Sequence, residues 1–157
     1  MVQMTREQLL QELQGSQKQV VKLLESMADV QDWQPEPLEW SFRYIAAHLA
    51  AVEQECHLRR VMGIASGDRP RLPHYANTAA NFSQMDLHES LADWVATRHQ
   101  LLNFVRALSE RELAYVGVHE AVGPMTVMDT LAEILEQDQG NLRHVYQLIV
   151  AYYEEAL

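Results

Sequence analysis

The sequence predicts an all-α fold built as a four-helix bundle, and three observations support that prediction. Only six glycines and five prolines occur in 157 residues, and they separate long stretches rather than short alternating ones. Within those stretches apolar residues recur at the spacing of an amphipathic helix. Four such stretches, each of about 20 residues, suit a bundle around one core. Residues 1–157 are therefore expected to form a single domain.

The first helix is expected to begin after Thr5, because Thr5 and Gln8 form a capping-box pattern. Its apolar positions repeat at helical spacing as far as about Met27, where the helix should end. The segment Gln34 to Pro37 contains two prolines, which remove backbone donors and cannot continue a helix. The apolar stripe of this first helix consists of Leu9, Leu10, Leu13, Val20, Val21, Leu24 and Met27.

The second helix should begin near Ser41, a favourable N-cap residue, and end between Gly63 and Gly67. The stretch from Asp68 to Gln84 then reads as the longest irregular segment of the chain. Such a segment either covers a site, with His74 and Tyr75 as candidate lining residues, or is a crossover between distant helix ends. The stripe of the second helix consists of Ile45, Leu49, Val52 and Cys56.

The third and fourth helices follow on either side of a short polar turn at Ser109 to Glu112. The third should begin near Asp86, and the fourth should begin after Gly123 and Pro124. The long connection before the third helix indicates that helices two and three need not be simple antiparallel neighbours. The apolar stripe of the third helix consists of Leu91, Trp94, Val95, Leu101, Leu102, Val105 and Leu108. That of the fourth helix consists of Val127, Leu131, Ile134, Leu135, Leu142, Val145, Ile149 and Tyr152.

Composition and charge exclude several classes of function. Acidic residues outnumber basic ones 22 to 12, and the formal net charge of −10 opposes the binding of nucleic acid. No apolar run approaches the roughly 18 residues of a membrane span, and the first residues lack the pattern of a secretory signal. A soluble, cytoplasmic protein is therefore expected. The single cysteine, Cys56, lies on an apolar stripe and is expected to be a buried, inert thiol.

Polar residues on the apolar face of the second helix are the first candidates for a site. His48 lies at the edge of the predicted buried face, and Glu55, seven residues on, falls on nearly the same line. His57 is expected to point well away from that face. A lone histidine at the edge of a core is either a hydrogen-bonded structural residue or a ligand, and periodicity alone leaves both open.

The fourth helix carries more polar residues on its inner side. Asp138 falls in the middle of the apolar stripe and needs a partner, and Arg98 occupies a comparable interior position on the third helix. A cross-bundle ion pair between Arg98 and Asp138 is predicted, with a structural role. Gln137, Asn141 and His144 line up along one edge, either as ligands, as a hydrogen-bonded row or as a partly solvated face. No phosphate-binding loop, dinucleotide fingerprint, zinc-protease motif or nucleophile elbow is present.

Two sequence blocks resemble the DinB-like, YfiT-type family of four-helix bundle proteins. The first is Trp40-Ser-Phe-Arg-Tyr-Ile-Ala-Ala-His48-Leu, and the second is Gly123-Pro-Met-Thr126 with the helix that carries Gln137 and Asp138. The resemblance covers nearly the whole chain. It implies a bundle of up-down-down-up topology with a long crossover between helices two and three, and a homodimer.

The resemblance also implies a divalent metal, nickel or zinc, held by one histidine of helix two and a His-x-x-x-His pair of helix four. His48 matches the first ligand. An ungapped alignment from Thr126 places Gln137 and Asn141 at the other two positions. A shift of three residues would instead place Gly140 and His144 there. The ungapped alignment is preferred, because Gly140 is expected on the outer surface of its helix.

The resemblance therefore implies a metal-dependent enzyme, either a hydrolase or a low-molecular-weight thiol transferase, with an incomplete metal site. His48 and His144 are the candidate metal ligands. The candidate pocket residues around them are Gln137, Asp138, Asn141 and Glu55. The alternative is a non-catalytic, metal-free bundle that acts as a binding or dimerisation module, with His48, Gln137 and Asn141 as a hydrogen-bonded polar row. A small-molecule substrate suits the first interpretation, and neither involves nucleic acid or a membrane.

Overall fold

A computed structural model describes residues 3–73, 75 and 82–157, and it contains the predicted four-helix bundle. The second arm of the bundle consists of α2, a π-helical segment and α3, which follow one another without a break. Two short 3-10 turns lie at Ala28–Val30 and Phe82–Gln84. The helices are α1 (Arg6–Glu25), α2 (Phe42–Val52), the π segment (Glu53–His57), α3 (Leu58–Ala65), α4 (Leu87–Arg106), α5 (Glu110–Leu113) and α6 (Val127–Ala156).

The predicted helix starts are confirmed by side chains that cap them. Thr5 forms a capping box with Gln8 at the start of α1, and Ser41 accepts a hydrogen bond from the backbone of Tyr44 at the start of α2. Asp86 and Thr126 cap α4 and α6 in the same way. These side chains accept from backbone amides that a helix leaves unpaired in its first turn. The first helix ends at Glu25, two residues before the predicted end at Met27.

Two apolar clusters fill the bundle, one near each end. One cluster contains Leu10 of α1, Val61 of α3, Val105 of α4 and Leu131 of α6. The other contains Leu24 of α1, Ile45 of α2, Leu91 of α4 and Val145 of α6. The start of α1 thus meets the start of α6 and the ends of α3 and α4. Helices α1 and α6 run in one direction, and the α2–α3 arm and α4 run in the other.

The structure adds a small three-stranded sheet that the sequence reading did not predict. Strand β1 (Arg71–Leu72) pairs in parallel with β2 (Val116–His119), and β2 pairs in antiparallel with β3 (Gly123–Thr126). The ring of His119 accepts hydrogen bonds from the backbone of Ala121 and Val122 and so closes the hairpin turn. Strands of two to four residues are too short to show a period in the sequence.

The sheet closes one end of the bundle and connects the crossover segment to it. Leu72 of β1 and Met125 of β3 belong to the apolar cluster at that end. Of the two residues predicted to line a pocket from the crossover, His74 lies outside the described residues. No helix within the described ranges has the length and hydropathy that crossing a bilayer requires.

Candidate functional site

Two polar side chains of the π-helical segment in the second arm point towards the interior. Glu53 is 1% exposed and His57 is 8% exposed. The prediction that His57 points away from the core was wrong, because a π turn contains an additional residue and rotates everything after it by about 100° relative to an α-helix. The same rotation takes Glu55 off the line that it would share with His48 in a continuous α-helix. Glu55 is exposed and accepts a hydrogen bond from the Tyr75 hydroxyl at 2.5 Å.

Arg98 lies at the centre of a buried polar network between the second arm, α4 and α6. Its Nη1 and Nη2 donate to Asp138 at 2.7 and 3.1 Å, which confirms the predicted pair. Its Nε and Nη2 also donate to Glu53 at 2.5 and 3.1 Å, and its Nη1 donates to the carbonyl of Leu13 at 2.9 Å. These contacts use all the N–H groups that a guanidinium offers. The network is therefore saturated at its centre.

The edges of the network are also hydrogen-bonded. Ser16 donates to Asp138 at 2.5 Å. The ring of His57 contacts Glu53 through Nδ1 at 2.9 Å and Gln137 through Nε2 at 3.0 Å. The amide nitrogen of Gln137 donates to Glu133 at 3.3 Å. Both ring nitrogens of His57 are thus engaged, so neither is available to a ligand without breaking a bond of the network.

Electrostatics keep the network charged. Burial alone would raise the pKa of the Glu53 carboxyl. The charge of Arg98 and the hydrogen bonds from His57 and Arg98 outweigh that effect and lower the pKa to about 2. Burial likewise lowers the pKa of Arg98, and the two carboxylates more than reverse that effect and raise it. An acid or base that works near neutral pH needs a pKa close to that pH. Glu53 and Arg98 are accordingly structural charges rather than proton-transfer groups.

Sequence reasoning missed Glu53 and His57, although Arg98 offered a signal for the first. A guanidinium has five N–H donors, and a single predicted carboxylate such as Asp138 takes two of them in the usual paired geometry. A buried Arg98 therefore required a further acceptor. No comparable signal indicates His57, because its position depends on the π segment.

A cavity of about 280 Å³ opens beside this network, between the second arm, α4 and α6. We call it the His48 cavity. Its volume lies near the lower end of the range for small-molecule sites. Its lining residues are His48, Leu49, Val52, Glu53, His57, Trp94, Arg98, Gln137, Asp138, Gly140 and Asn141.

Two polar side chains of the His48 cavity have no partner within the described part of the chain. His48 packs its ring against Trp40 and Phe82, with centroid distances of 4.7 and 5.9 Å, but its nitrogens make no hydrogen bond there. Asn141 likewise makes no side-chain hydrogen bond to a described residue. Burial lowers the pKa of His48 and so favours its neutral imidazole. Both groups are free to bind a molecule that enters the cavity.

The structure brings together four of the six residues proposed from the sequence. His48, Gln137, Asp138 and Asn141 all line the His48 cavity, with Asp138 turned towards Arg98. His144 is exposed and is not among the lining residues, because it lies a turn beyond Asn141 on α6. Glu55 is not among them either.

Gly140 departs from its predicted position. It is half-buried and lines the His48 cavity, whereas the sequence placed it on the outer surface of α6. The cavity reaches the edge of the bundle, and a residue without a side chain leaves room there. Its backbone therefore forms part of the cavity rim.

Comparison with known proteins identifies the family. The model of the DinB superfamily matches residues 12–145 of this chain. The chain belongs to the DinB superfamily. The match extends from α1 into α6 and so includes every residue of the His48 cavity.

A solved structure of the DinB-like fold resembles this one along most of its length. It is YfiT from Bacillus subtilis, described as a probable metal-dependent hydrolase with an unusual four-helix bundle topology. The two chains superpose with a TM-score of 0.78 at 18% sequence identity, over 94% of this chain and 89% of YfiT. At this level of sequence identity, the structural similarity shows that the two chains share a fold. No curated protein matches the chain.

The residues of the His48 cavity do not fit the three-histidine nickel or zinc centre that the resemblance to DinB-like proteins implies. Nickel and zinc favour imidazole and thiolate donors over amide oxygens. Of the three positions expected to supply histidines, His48 alone does so, and the others are Gln137 and Asn141. Within the described ranges no group of three or more histidine, cysteine or acidic side chains is placed to hold a metal ion.

Proposed function

We propose that this DinB-superfamily chain binds a small polar molecule in the His48 cavity and holds no divalent metal there with high affinity. One observation carries the proposal: the cavity presents an imidazole, His48, and an amide, Asn141, that have no hydrogen-bond partner in the described part of the chain, where a metal centre would need three strong donors. Amides bind transition metals weakly but are good hydrogen-bond donors and acceptors. The proposed function is thus ligand binding without a resident metal.

The chemistry of the lining supports a small ligand with a hydroxyl, amide or thiol group. A neutral His48 can donate from one ring nitrogen and accept at the other, and Asn141 can do both through its amide. Trp94 is 1% exposed and supplies an apolar wall. The network around Arg98 supplies a floor whose own polar groups are already paired, so it adds rigidity rather than further binding groups.

Ligand-observed NMR with acetamide and 2-mercaptoethanol as probes tests this proposal. We expect at least one probe to bind the wild-type protein with a dissociation constant in the millimolar range. This corresponds to a binding free energy of about 4 kcal/mol, which is typical of so small a molecule. Binding should be lost in His48→Ala and retained in His88→Ala, which removes an exposed histidine outside the His48 cavity. No binding of either probe, or equal binding by both variants, would overturn the proposal.

A metal-dependent hydrolase or thiol transferase is the second candidate. It is favoured by the likeness to YfiT, described as a probable metal-dependent hydrolase, and by the imidazole of His48, which forms no hydrogen bond with a described residue. Its metal would be nickel or zinc, with His48 and His144 as the expected ligands. Near-stoichiometric metal in the purified protein, lost in both His48→Ala and His144→Ala, would favour this candidate over the first.

We further propose that the protein forms a homodimer through the outer face of α6. Three large side chains at helical spacing are exposed on that face: Tyr146 at 60%, Val150 at 40% and Tyr153 at 56%. An exposed apolar surface of this kind is typical of a protein–protein interface. In a symmetric dimer the same three side chains of a second copy would pack against it. Light scattering should give a dimer for the wild type and a monomer for Tyr146→Ser combined with Tyr153→Ser.

A further inference from the structure

We propose that a second cavity, between α3 and β1, binds a small organic anion through Arg59, Arg60 and Arg71. This cavity has a volume of about 370 Å³, and we call it the arginine cavity. It shares no lining residue with the His48 cavity. The inference is therefore independent of the function proposed above.

The path of the chain after α3 brings the three arginines together. Gly67 and Arg69 adopt left-handed backbone conformations, with φ of 82° and 50°, and turn the chain back along the helix that it has just left. Such a conformation is unfavourable for arginine, and it is retained where the surrounding structure requires it. Pairing of β1 with β2 then holds Arg71 beside the helical residues Arg59 and Arg60.

The returning chain packs closely against α3 at Gly63. A Cβ atom at Gly63 would lie 3.5 Å from the ring of Pro70, at ordinary van der Waals contact distance. The Arg60 Nη2 donates to the carbonyl of Pro73 at 2.6 Å and ties the end of β1 to the helix. The walls of the arginine cavity are therefore fixed from both sides.

The charges at the arginine cavity are unbalanced. Three guanidinium groups line it against one carboxylate, that of Glu55, which already accepts the hydroxyl of Tyr75. The side chains of Arg59 and Arg71 form no hydrogen bond or ion pair with any described residue. The whole chain has only 12 basic residues and a net charge of −10. Gathering three like charges is unfavourable unless an anion compensates them.

The lining identifies the class of anion. Guanidinium groups match the geometry of carboxylate and phosphate oxygens and bind them through paired, charge-assisted hydrogen bonds. Leu72 and Cys56 are buried at the same cavity and give it an apolar side. A carboxylate or phosphate carried by a small organic body satisfies both parts of the lining.

Calorimetry of the full chain with inorganic phosphate and with succinate tests the proposal and separates the two kinds of anion. The test variant is Arg59→Gln combined with Arg71→Gln. The matched control is Arg106→Gln combined with Arg111→Gln, which removes the same charge from exposed positions outside the arginine cavity. We expect saturable binding of one probe with a dissociation constant of about 1 mM, weakened at least about tenfold in the test variant and less than about twofold in the control.

Binding of phosphate but not succinate would identify a phosphate ester, and the reverse would identify a carboxylate. Circular dichroism of the test variant should match the wild type, because the side chains of Arg59 and Arg71 are exposed and form no hydrogen bond or ion pair with a described residue. The proposal is overturned if neither probe binds at up to about 20 mM. It is also overturned if the test and control variants weaken binding equally, since binding would then depend on net charge alone.

Discussion

Arg98 and Asp138 form two parallel hydrogen bonds, of 2.7 and 3.1 Å, with side chains only 1% and 3% exposed. They join α4 to α6 in the middle of the bundle, where an unpaired charge would be very costly. Glu53 completes the arrangement from the second arm. The pairing therefore sets how three of the four arms lie around the His48 cavity.

Replacing Arg98 with methionine should destabilise the protein by about 3 to 5 kcal/mol, because it leaves two buried carboxylates without a counter-charge. Urea unfolding followed by circular dichroism measures this. Arg106→Met, an exposed site on the same helix, should change the free energy of unfolding by no more than about 0.5 kcal/mol. A loss below about 1 kcal/mol in Arg98→Met would show that the network is not a structural centre.

The stability of the protein should fall in acid as Glu53 is protonated. Its pKa is lowered from 4.5 to about 2 in the folded state, so its contribution is complete above pH 4.5 and disappears as the pH falls through about 2. Linkage gives a loss of about 2 kcal/mol between pH 6 and pH 3 from this group. Urea unfolding at both pH values should show a smaller pH dependence in Glu53→Gln. Equal dependence in both proteins would contradict the assignment.

The ring of His48 should titrate below the ordinary value of 6.5, because burial disfavours its charged form. Its contribution to stability is therefore present above 6.5 and is lost as the pH falls through the lower folded pKa. An NMR titration, assigned with His48→Ala, measures the pKa. Trp40→Ala removes a ring 4.7 Å away and should raise the pKa of His48 towards 6.5. Titration at or above 6.5 in the wild type would show that the ring is not shielded.

Alanine at Gly117 should destabilise the small sheet. A Cβ atom there would lie 3.0 Å from side-chain atoms of both Ile64 and Leu72, and overpacking of this kind costs about 1 to 3 kcal/mol. Alanine at Gly15 is the matched control, because nothing lies within 4 Å of its Cβ position. Gly15→Ala lies within α1 and should stabilise by about 0.5 to 1 kcal/mol. Thermal unfolding of the two variants should shift in opposite directions.

The bundle could be predicted from the sequence because its signals are local. Apolar periodicity and capping residues such as Ser41 and Asp86 depend on near neighbours in the chain, and they placed the helix starts. The Arg98 and Asp138 pair was predictable for a related reason, since both fall on apolar stripes where a charge needs a partner.

The rest of the site could not be predicted, because it depends on a departure from regular geometry. The π segment turns His57 inwards, and no periodic pattern in the sequence predicts a π turn. Placing residues by steps of an ideal α-helix therefore failed beyond Val52. The sheet was missed because the pairing of Arg71 with Val118 joins residues far apart in the sequence.

The affinity for zinc and nickel, measured by calorimetry on the metal-free protein, tests the central claim most directly. The wild type is compared with Gln137→His combined with Asn141→His, which supplies imidazoles beside His48 in the His48 cavity. We predict binding at least about 100-fold tighter in the variant, since amide donors are replaced by the ligands that these metals prefer. Wild-type binding as tight as that of the variant would contradict the account, because the His48 cavity would then already be a metal centre.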